Sequence, residues 1–325
     1  MRICLLTTQD LDAVPFPEDD WPCDPRPFLP EACWHVEALE KPTCVRRVTE
    51  LVAEGFDLYF NLCDGAEDEG TPGIEVVTTL ERLDVPFTGA TSSYYEPSRA
   101  RMKAACAARG IPTPAWVLAA GPADVERAVE NLRFPQFVKH HSSYASVSLT
   151  PDSKVDTPAA LRRQAAIIIE RHGQALIEEY VDGIEATVLV TENPDDPERP
   201  TTYTPLQYRF PEGERFKHAE LKWVDYDAMS SFPVEDLELA RRLRDVSAAF
   251  FVELGGASFG RCDLRVDDAG TPYMLEINPN CGVYYPETDP GSADLILAHD
   301  PGGHEGFTRR IVAAAFARHA RRSSG

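Results

Sequence analysis

Positive charge is scarce in this sequence: 32 Lys and Arg stand against 53 Asp and Glu in 325 residues, a formal net charge of −21. That balance argues against sequence-independent binding along a nucleic-acid backbone, which needs basic patches, and it repels an anionic membrane surface. An anionic substrate must therefore be held by a local cluster of Lys and Arg or by a metal. Long apolar runs are missing too. The stretch "AAIII" at 165–169 falls far short of the ~20 residues needed to cross a bilayer. The start, "MRICLLTTQD", has neither the apolar run nor the small-residue cleavage site of a secretory signal, so a cytoplasmic location is expected. None of the eight cysteines forms a CxxC pair or shows zinc-finger spacing, which predicts small, free thiols in a reducing compartment. There is no internal repeat and no low-complexity segment.

An apolar fraction of 43 % is ordinary for a globular chain, and the length allows two or three lobes. Residues 1–8 read as a buried strand. Residues 10–42 are rich in Pro and acid and show no sustained period, an irregular excursion whose aromatics Phe16, Trp21 and Phe28 argue that it packs. "CVRRVTELVAEG" is a helix stopped by Gly55, "FDLYFNLC" a strand, "IEVVTTLERLD" a helix and "VPFTGA" a short strand. Strand and helix alternating in this way predict a parallel α/β lobe with ligand-accessible loops at one sheet edge. Further on come the Ala-rich helix ending at Gly110, the strand–loop–strand "FPQFVKHHSSYASVSLT" and a helix capped by Thr157 with Pro158 at its first turn. Two strands follow, joined at Asp182-Gly183.

The segment "RCDLRVDDAGTPYMLEINPNCG" has the pattern of a β-hairpin around the turn "DDAG". Strand alternation puts Cys262, Leu264 and Val266 on one face and Arg261, Asp263 and Arg265 on the other. In the second run Leu275 and Ile277 face one way, and Met274, Glu276 and Asn278 the other. A twisted hairpin can thus gather an arginine, two carboxylates and an amide, a donor set suited to a hard divalent cation shared with phosphate oxygens. A solvated outer sheet face carries the same alternation, and spacing leaves both readings open.

These motifs, in this order, resemble the ATP-grasp enzymes, specifically the D-alanine–D-alanine ligase branch of carboxylate–amine ligases. The likeness runs from "FDLYFNLCDG" to "NPNCG", residues 56 to 282. It implies an α/β ATP-grasp fold of three subdomains, 1–95, 96–190 and 191–325, with ATP between the second and third. It also implies that Asp263, Glu276 and Asn278 hold Mg²⁺, two ions replaceable by Mn²⁺, and that Arg261 stabilises the reacting phosphoryl group. By the same likeness Arg99, Lys139, Ser146 and Lys222 contact ATP phosphates, and Lys222 also serves catalysis. Glu178 and the backbone of Glu179, Tyr180 and Val181 would meet the adenine, Glu185 the ribose, and the backbone of Gly282 the acyl acceptor or oxyanion. The partners would be a small carboxylate and an amine, and the family habit is a homodimer.

The departures from the family pattern bear on the substrate. Arg99 stands where a lysine is usual, which exchanges a point charge for a fork. The phosphate-covering loop "HHSSYAS" contains no glycine, and His140 and His141 offer either a phosphate contact or a plain loop role. The first strand ends in "TTQDLD", without the family's glycine pair and downstream glutamate. We therefore expect retained nucleotide chemistry with a substrate other than two D-alanines. An ATP-grasp phosphotransferase and a non-catalytic nucleotide-binding protein are the alternatives. Tyr144, Tyr284, Tyr285 and Glu287 are candidates for handling the amine proton, Cys281 reads better as a small loop residue than as a nucleophile, and the acid clusters at 18–20 and 67–69 suit a cationic substrate or a solvated loop equally.

Overall fold

The computed structural model describes residues 1–9, 11, 23–66, 70–142, 149–216 and 229–323. Ser146, Lys222, Tyr144 and the acid clusters at 18–20 and 67–69 lie outside the described residues. The first sheet is parallel, with β1 (Arg2–Thr7) between β2 (Cys33–Ala38) and β3 (Leu58–Asn61). Helices α1 (Cys44–Glu54) and α2 (Ile74–Arg82) connect and cover it. Two expectations change here. The excursion at 10–42 contains β2, an edge strand whose half-exposed residues lack the alternation that marks a buried strand. The expected strand "VPFTGA" reduces to one bridge between Tyr59 and Phe87, because Pro86 beside it has no N–H to extend a ladder.

Helix α3 (Arg99–Arg109) begins at Ser98, whose hydroxyl accepts from the Arg101 N–H at 3.2 Å, and ends at Gly110 with φ +63°. It leads into an antiparallel sheet in the order β4-β7-β5-β6: β4 (Trp116–Ala119), β7 (Ala175–Glu179), β5 (Gln136–His140) and β6 (Lys154–Val155). Helices α4 (Pro122–Asn131) and α5 (Pro158–His172) pack on this sheet around Val125, Leu161, Ile168 and Val138. The Thr157 hydroxyl caps α5 by accepting from the Ala160 N–H at 3.2 Å.

The third sheet runs β11-β10-β8-β12-β13, with β9 (Thr201–Thr202) on the far end of β8. Its strands are β8 (Ile184–Thr191), β10 (Leu206–Arg209), β11 (Ser230–Pro233), β12 (Phe259–Val266) and β13 (Pro272–Pro279). Helix α6 (Leu237–Glu253) covers it, and α7 (Ser292–Ala298) and α8 (Gly303–Ser323) follow the hairpin. Since β8 pairs with β12 along its length, a division at residue 190 would cut a strand; the chain passes from one sheet to the other at 180–183. Phe307 and Ile311 of α8 share a core with Ile3 and Phe60 of the first sheet and Leu189 and Phe259 of the third. That shared core holds the outer lobes together and leaves the second sheet facing the third across a cleft.

Candidate functional site

The β12–β13 ladder pairs Arg261 with Asn278 and Asp263 with Glu276, so the four polar residues share one face, as their spacing predicts. Beyond them the register shifts at a β-bulge: Leu264 pairs with Met274, and Leu275 is the extra residue. The bulge reverses the expected parity. Met274 is buried in the core at 1 % exposure, and Leu275 lines the cleft beside Glu276 and Asn278. The hairpin turn closes as expected, with the Gly270 N–H donating to Asp267 O at 2.8 Å.

Asp263 is the hub of this face. Its Oδ1 accepts from Thr187 Oγ1 at 2.8 Å and Arg261 Nε at 3.1 Å; its Oδ2 accepts from Arg261 Nη2 at 3.1 Å and Asn278 Nδ2 at 2.8 Å. This is a two-pronged arginine–carboxylate pair, the geometry in which such bonds are strongest. Burial opposes the Arg261 charge, but Asp263 outweighs it and holds the guanidinium protonated. Glu276 pairs with Arg99 from α3.

The opposite wall centres on Glu178 of β7, which is 2 % exposed. Lys139 lies 2.6 Å from its Oε2, and Lys103 pairs with its Oε1. Burial alone would raise the Glu178 carboxyl; the two ammonium groups together overcome it and hold the carboxyl at about 2. Lys139 is brought down to about 8, because its desolvation exceeds the attraction of Glu178. Lys103 also donates to Thr113 Oγ1 at 2.6 Å, which donates to Met274 O at 2.9 Å. A hydrogen-bonded path therefore joins the two walls.

At the far end the walls meet in an aromatic slot. Phe137 stacks on Tyr180 with ring centroids 6.2 Å apart, and Phe216 stands edge-on to Phe137 at 4.9 Å. Glu179 accepts from Arg133 Nη2 at 2.7 Å and Nε at 3.0 Å, which lowers its carboxyl. The cleft holds about 1110 Å³ of space, open mouth included. Its lining brings together Arg99, Lys139, Glu178, Glu179, Tyr180, Val181, Glu185, Arg261, Asp263, Glu276 and Asn278.

Gly282 is not among the described lining residues. It lies under Tyr285, where a Cβ would stand 2.6 Å from the ring. Tyr284 turns into the core instead of toward an acceptor: its hydroxyl bonds Thr308 Oγ1 at 2.9 Å, and its ring packs near Phe28 and Phe60. Burial pushes the Cys281 thiol up to about 12, more than Arg261 draws it down, so it stays protonated and unreactive near neutral pH. None of the eight cysteines, all among the described residues, is in a disulfide.

No site role was assigned from the sequence to Lys103, Arg265 or Tyr208. Lys103 sits four residues after Arg99 on one helix, the spacing that puts two side chains on one face. Arg265 shares strand parity with Arg261 and Asp263. Tyr208, whose hydroxyl donates to Ser292 Oγ at 2.9 Å, sits in a mixed stretch without a clear period.

Three sheets with a charged, aromatic-ended cleft between the second and third form the ATP-grasp fold. Over 99 % of both chains the structure superposes with a TM-score of 0.68 on the D-alanine–D-alanine ligase of Bacillus anthracis complexed with ATP, at 18 % identity. The family model described as the D-ala D-ala ligase C-terminus matches residues 106–285. The D-alanine–D-alanine ligase of Laribacter hongkongensis is 30 % identical over 250 residues, 75 % of this chain and 74 % of that one. That of Xanthomonas axonopodis pv. citri is 28 % identical over 239 residues, 72 % and 71 % of the two chains. The chain belongs to the D-alanine–D-alanine ligase family, and so to the ATP-dependent, ADP-forming carboxylate–amine ligases. No helix among the described residues is long and apolar enough to cross a membrane.

Proposed function

We propose that this chain joins a small carboxylate to an amine through an acylphosphate, and that the pair is not two D-alanines. The observation that carries the first half is the shared face of Arg261, Asp263, Glu276 and Asn278, set across one cleft from Lys139, Lys103 and Glu178. Supporting the second half, β1 ends in Thr7 and runs on into "TQDLD", where the family pattern has two glycines and a glutamate for an amino-acid ammonium.

Among the described residues no three His, Cys, Asp or Glu side chains cluster as a metal site; the donor set here is two carboxylates and an amide. Hard oxygen donors on one partly buried face fit Mg²⁺, and Asp263, Glu276 and Asn278 would hold it. When bound, the ion neutralises phosphate charge that builds during transfer.

The protein's own groups do the rest. Lys139, held by Glu178, and Arg261, held by Asp263, place fixed positive charge at the phosphate end, where transfer is mostly positioning and charge neutralisation. The aromatic slot takes the flat base, with Glu185 near it for the sugar hydroxyls. In the first step a substrate carboxylate oxygen bonds the γ-phosphorus as the bond to the ADP oxygen breaks. In the second the amine nitrogen bonds the acyl carbon, the acyl–oxygen bond breaks, phosphate leaves and the nitrogen loses a proton. Arg261 would stabilise the oxyanion between these events.

The test is to incubate the protein with ATP, Mg²⁺ and pooled amino acids and amines, following ADP and product masses. Amine-dependent ADP release with a product one water lighter than its summed substrates is the expected result. ADP with only a phosphorylated acid would move the chain to the phosphotransferases, and full-rate formation of D-alanyl-D-alanine from D-alanine alone would overturn the second half. Asp263→Asn, which weakens the Arg261 clamp and exchanges a charged oxygen donor for a neutral one, should cut turnover at least about 100-fold and raise the Mg²⁺ needed for half-maximal rate.

A further inference from the structure

Arg265 is buried at 3 % exposure in the wall of the cleft, yet nothing in the reaction just described uses it. An arginine guanidinium carries five N–H donors in a rigid fork. Here each has an acceptor. Nε donates to Val181 O at 3.0 Å; Nη1 donates to Glu185 Oε2 at 3.2 Å and Arg215 O at 2.9 Å; Nη2 donates to Tyr180 Oη at 3.0 Å and Gly183 O at 3.3 Å. The guanidinium carbon also lies 5.0 Å from the Tyr180 ring centroid. Tyr180 closes the circle by donating its hydroxyl to Arg215 O at 3.2 Å.

These acceptors come from three places. Tyr180, Val181 and Gly183 form the connection by which the chain crosses from the second sheet to the third. Glu185 opens β8. Arg215 precedes Phe216, one wall of the aromatic slot. A fully engaged donor set has nothing left to offer a ligand, so Arg265 acts through its neighbours.

We propose that Arg265 is the positioning residue of the nucleotide end of the cleft, fixing the 180–183 crossing, Glu185 and the backbone before Phe216 in one arrangement. This rests on the cleft being a nucleotide site. It makes Arg265 a determinant of nucleotide affinity and not of the chemical step, which occurs at Arg261 and Asp263 on the same strand. Lysine is not an adequate substitute, since one ammonium with three donors cannot reproduce a planar five-donor fork.

The test compares the wild-type protein with Arg265→Lys and Tyr180→Phe by calorimetric titration with ATP and Mg²⁺. Steady-state kinetics of ATP turnover and hydrogen exchange over residues 180–185 run alongside. Arg265→Lys should weaken ATP binding and raise KM for ATP at least about tenfold, hold kcat within about threefold, and speed exchange at 180–185. Unchanged affinity in Arg265→Lys, or a fall in kcat with KM intact, would overturn the proposal. Should Arg265→Lys fail to fold, Tyr180→Phe decides: it removes the hydroxyl bridge alone, so a several-fold weaker affinity supports the positioning role and an unchanged one refutes it. If the wild-type protein itself binds no ATP, the nucleotide reading fails before Arg265 is in question.

Discussion

Replacing Glu178 by Gln tests the electrostatic centre of the cleft. The side chains of Glu178, Lys103 and Lys139 are 3 %, 2 % and 8 % exposed, so no solvent replaces the lost carboxylate charge. The amide can accept from one lysine only, and its NH₂ then faces the other, donor against donor. Holding the carboxyl at about 2 instead of its ordinary 4.5 is worth about 3 kcal/mol at neutral pH. That agrees with the ~3–5 kcal/mol seen when one partner of a buried pair is removed. In a chain of this length 3 kcal/mol lowers Tm by about 5 °C.

The sign of the pH dependence is fixed separately by each partner. The Glu178 carboxyl is depressed, so its contribution is complete above pH 4.5 and is lost as pH falls toward about 2. Lys139 is depressed by burial, so its desolvation cost is complete below about 8 and is relieved as pH rises from there to 10.5. Without Glu178 the Lys139 amine falls further, and its relief begins at lower pH. The deficit of Glu178→Gln should therefore narrow as pH rises through the neutral range toward about 8. Thermal unfolding by circular dichroism over that range measures it, with Glu178→Gln/Lys139→Met expected to recover part of the loss. A Tm within about 1 °C of wild type at neutral pH, or a deficit that widens as pH rises, would refute the buried triad.

Two other substitutions separate reactive from architectural roles. Cys281→Ser should keep turnover within about threefold of wild type, because a thiol held protonated by burial is no nucleophile; an abolished rate with an intact fold would return Cys281 to the chemistry. Gly183→Ala places a Cβ 2.0 Å from Val266 O at φ +128°, a clash that must shift the crossing between the sheets. It should cost more than about 2 kcal/mol in denaturant unfolding and weaken ATP binding as well.

The polar face of the hairpin was legible because strand alternation depends only on local geometry, and Arg261, Asp263, Glu276 and Asn278 obey it up to the bulge. The bulge was not legible. It adds one residue without a compositional mark, and the apolar Leu275 and Met274 exchange places without disturbing the hydrophobic count. β2 escaped for a related reason: an edge strand with one neighbour and a half-exposed surface has no pattern to declare. Tyr284 was misplaced because nothing in its local pattern marks its φ of +72°, and its ring lies in the core.

Ion pairing was the hardest feature to foresee, and it governs how the cleft works. Lys103 and Lys139 reach Glu178 from α3 and β5, Arg99 reaches Glu276 from α3, Arg261 finds Asp263 on its own strand, and Arg265 finds Glu185 from the neighbouring one. Strand parity anticipated the Arg261–Asp263 pair, whereas the others depend on three-dimensional packing. Together they explain how a chain with a net charge of −21 can offer a polyphosphate a favourable site. Each carboxylate fixes a cation at low dielectric, and the cations bring the positive charge to the cleft that the composition as a whole withholds. An acidic protein of this kind should bind anions in that cleft.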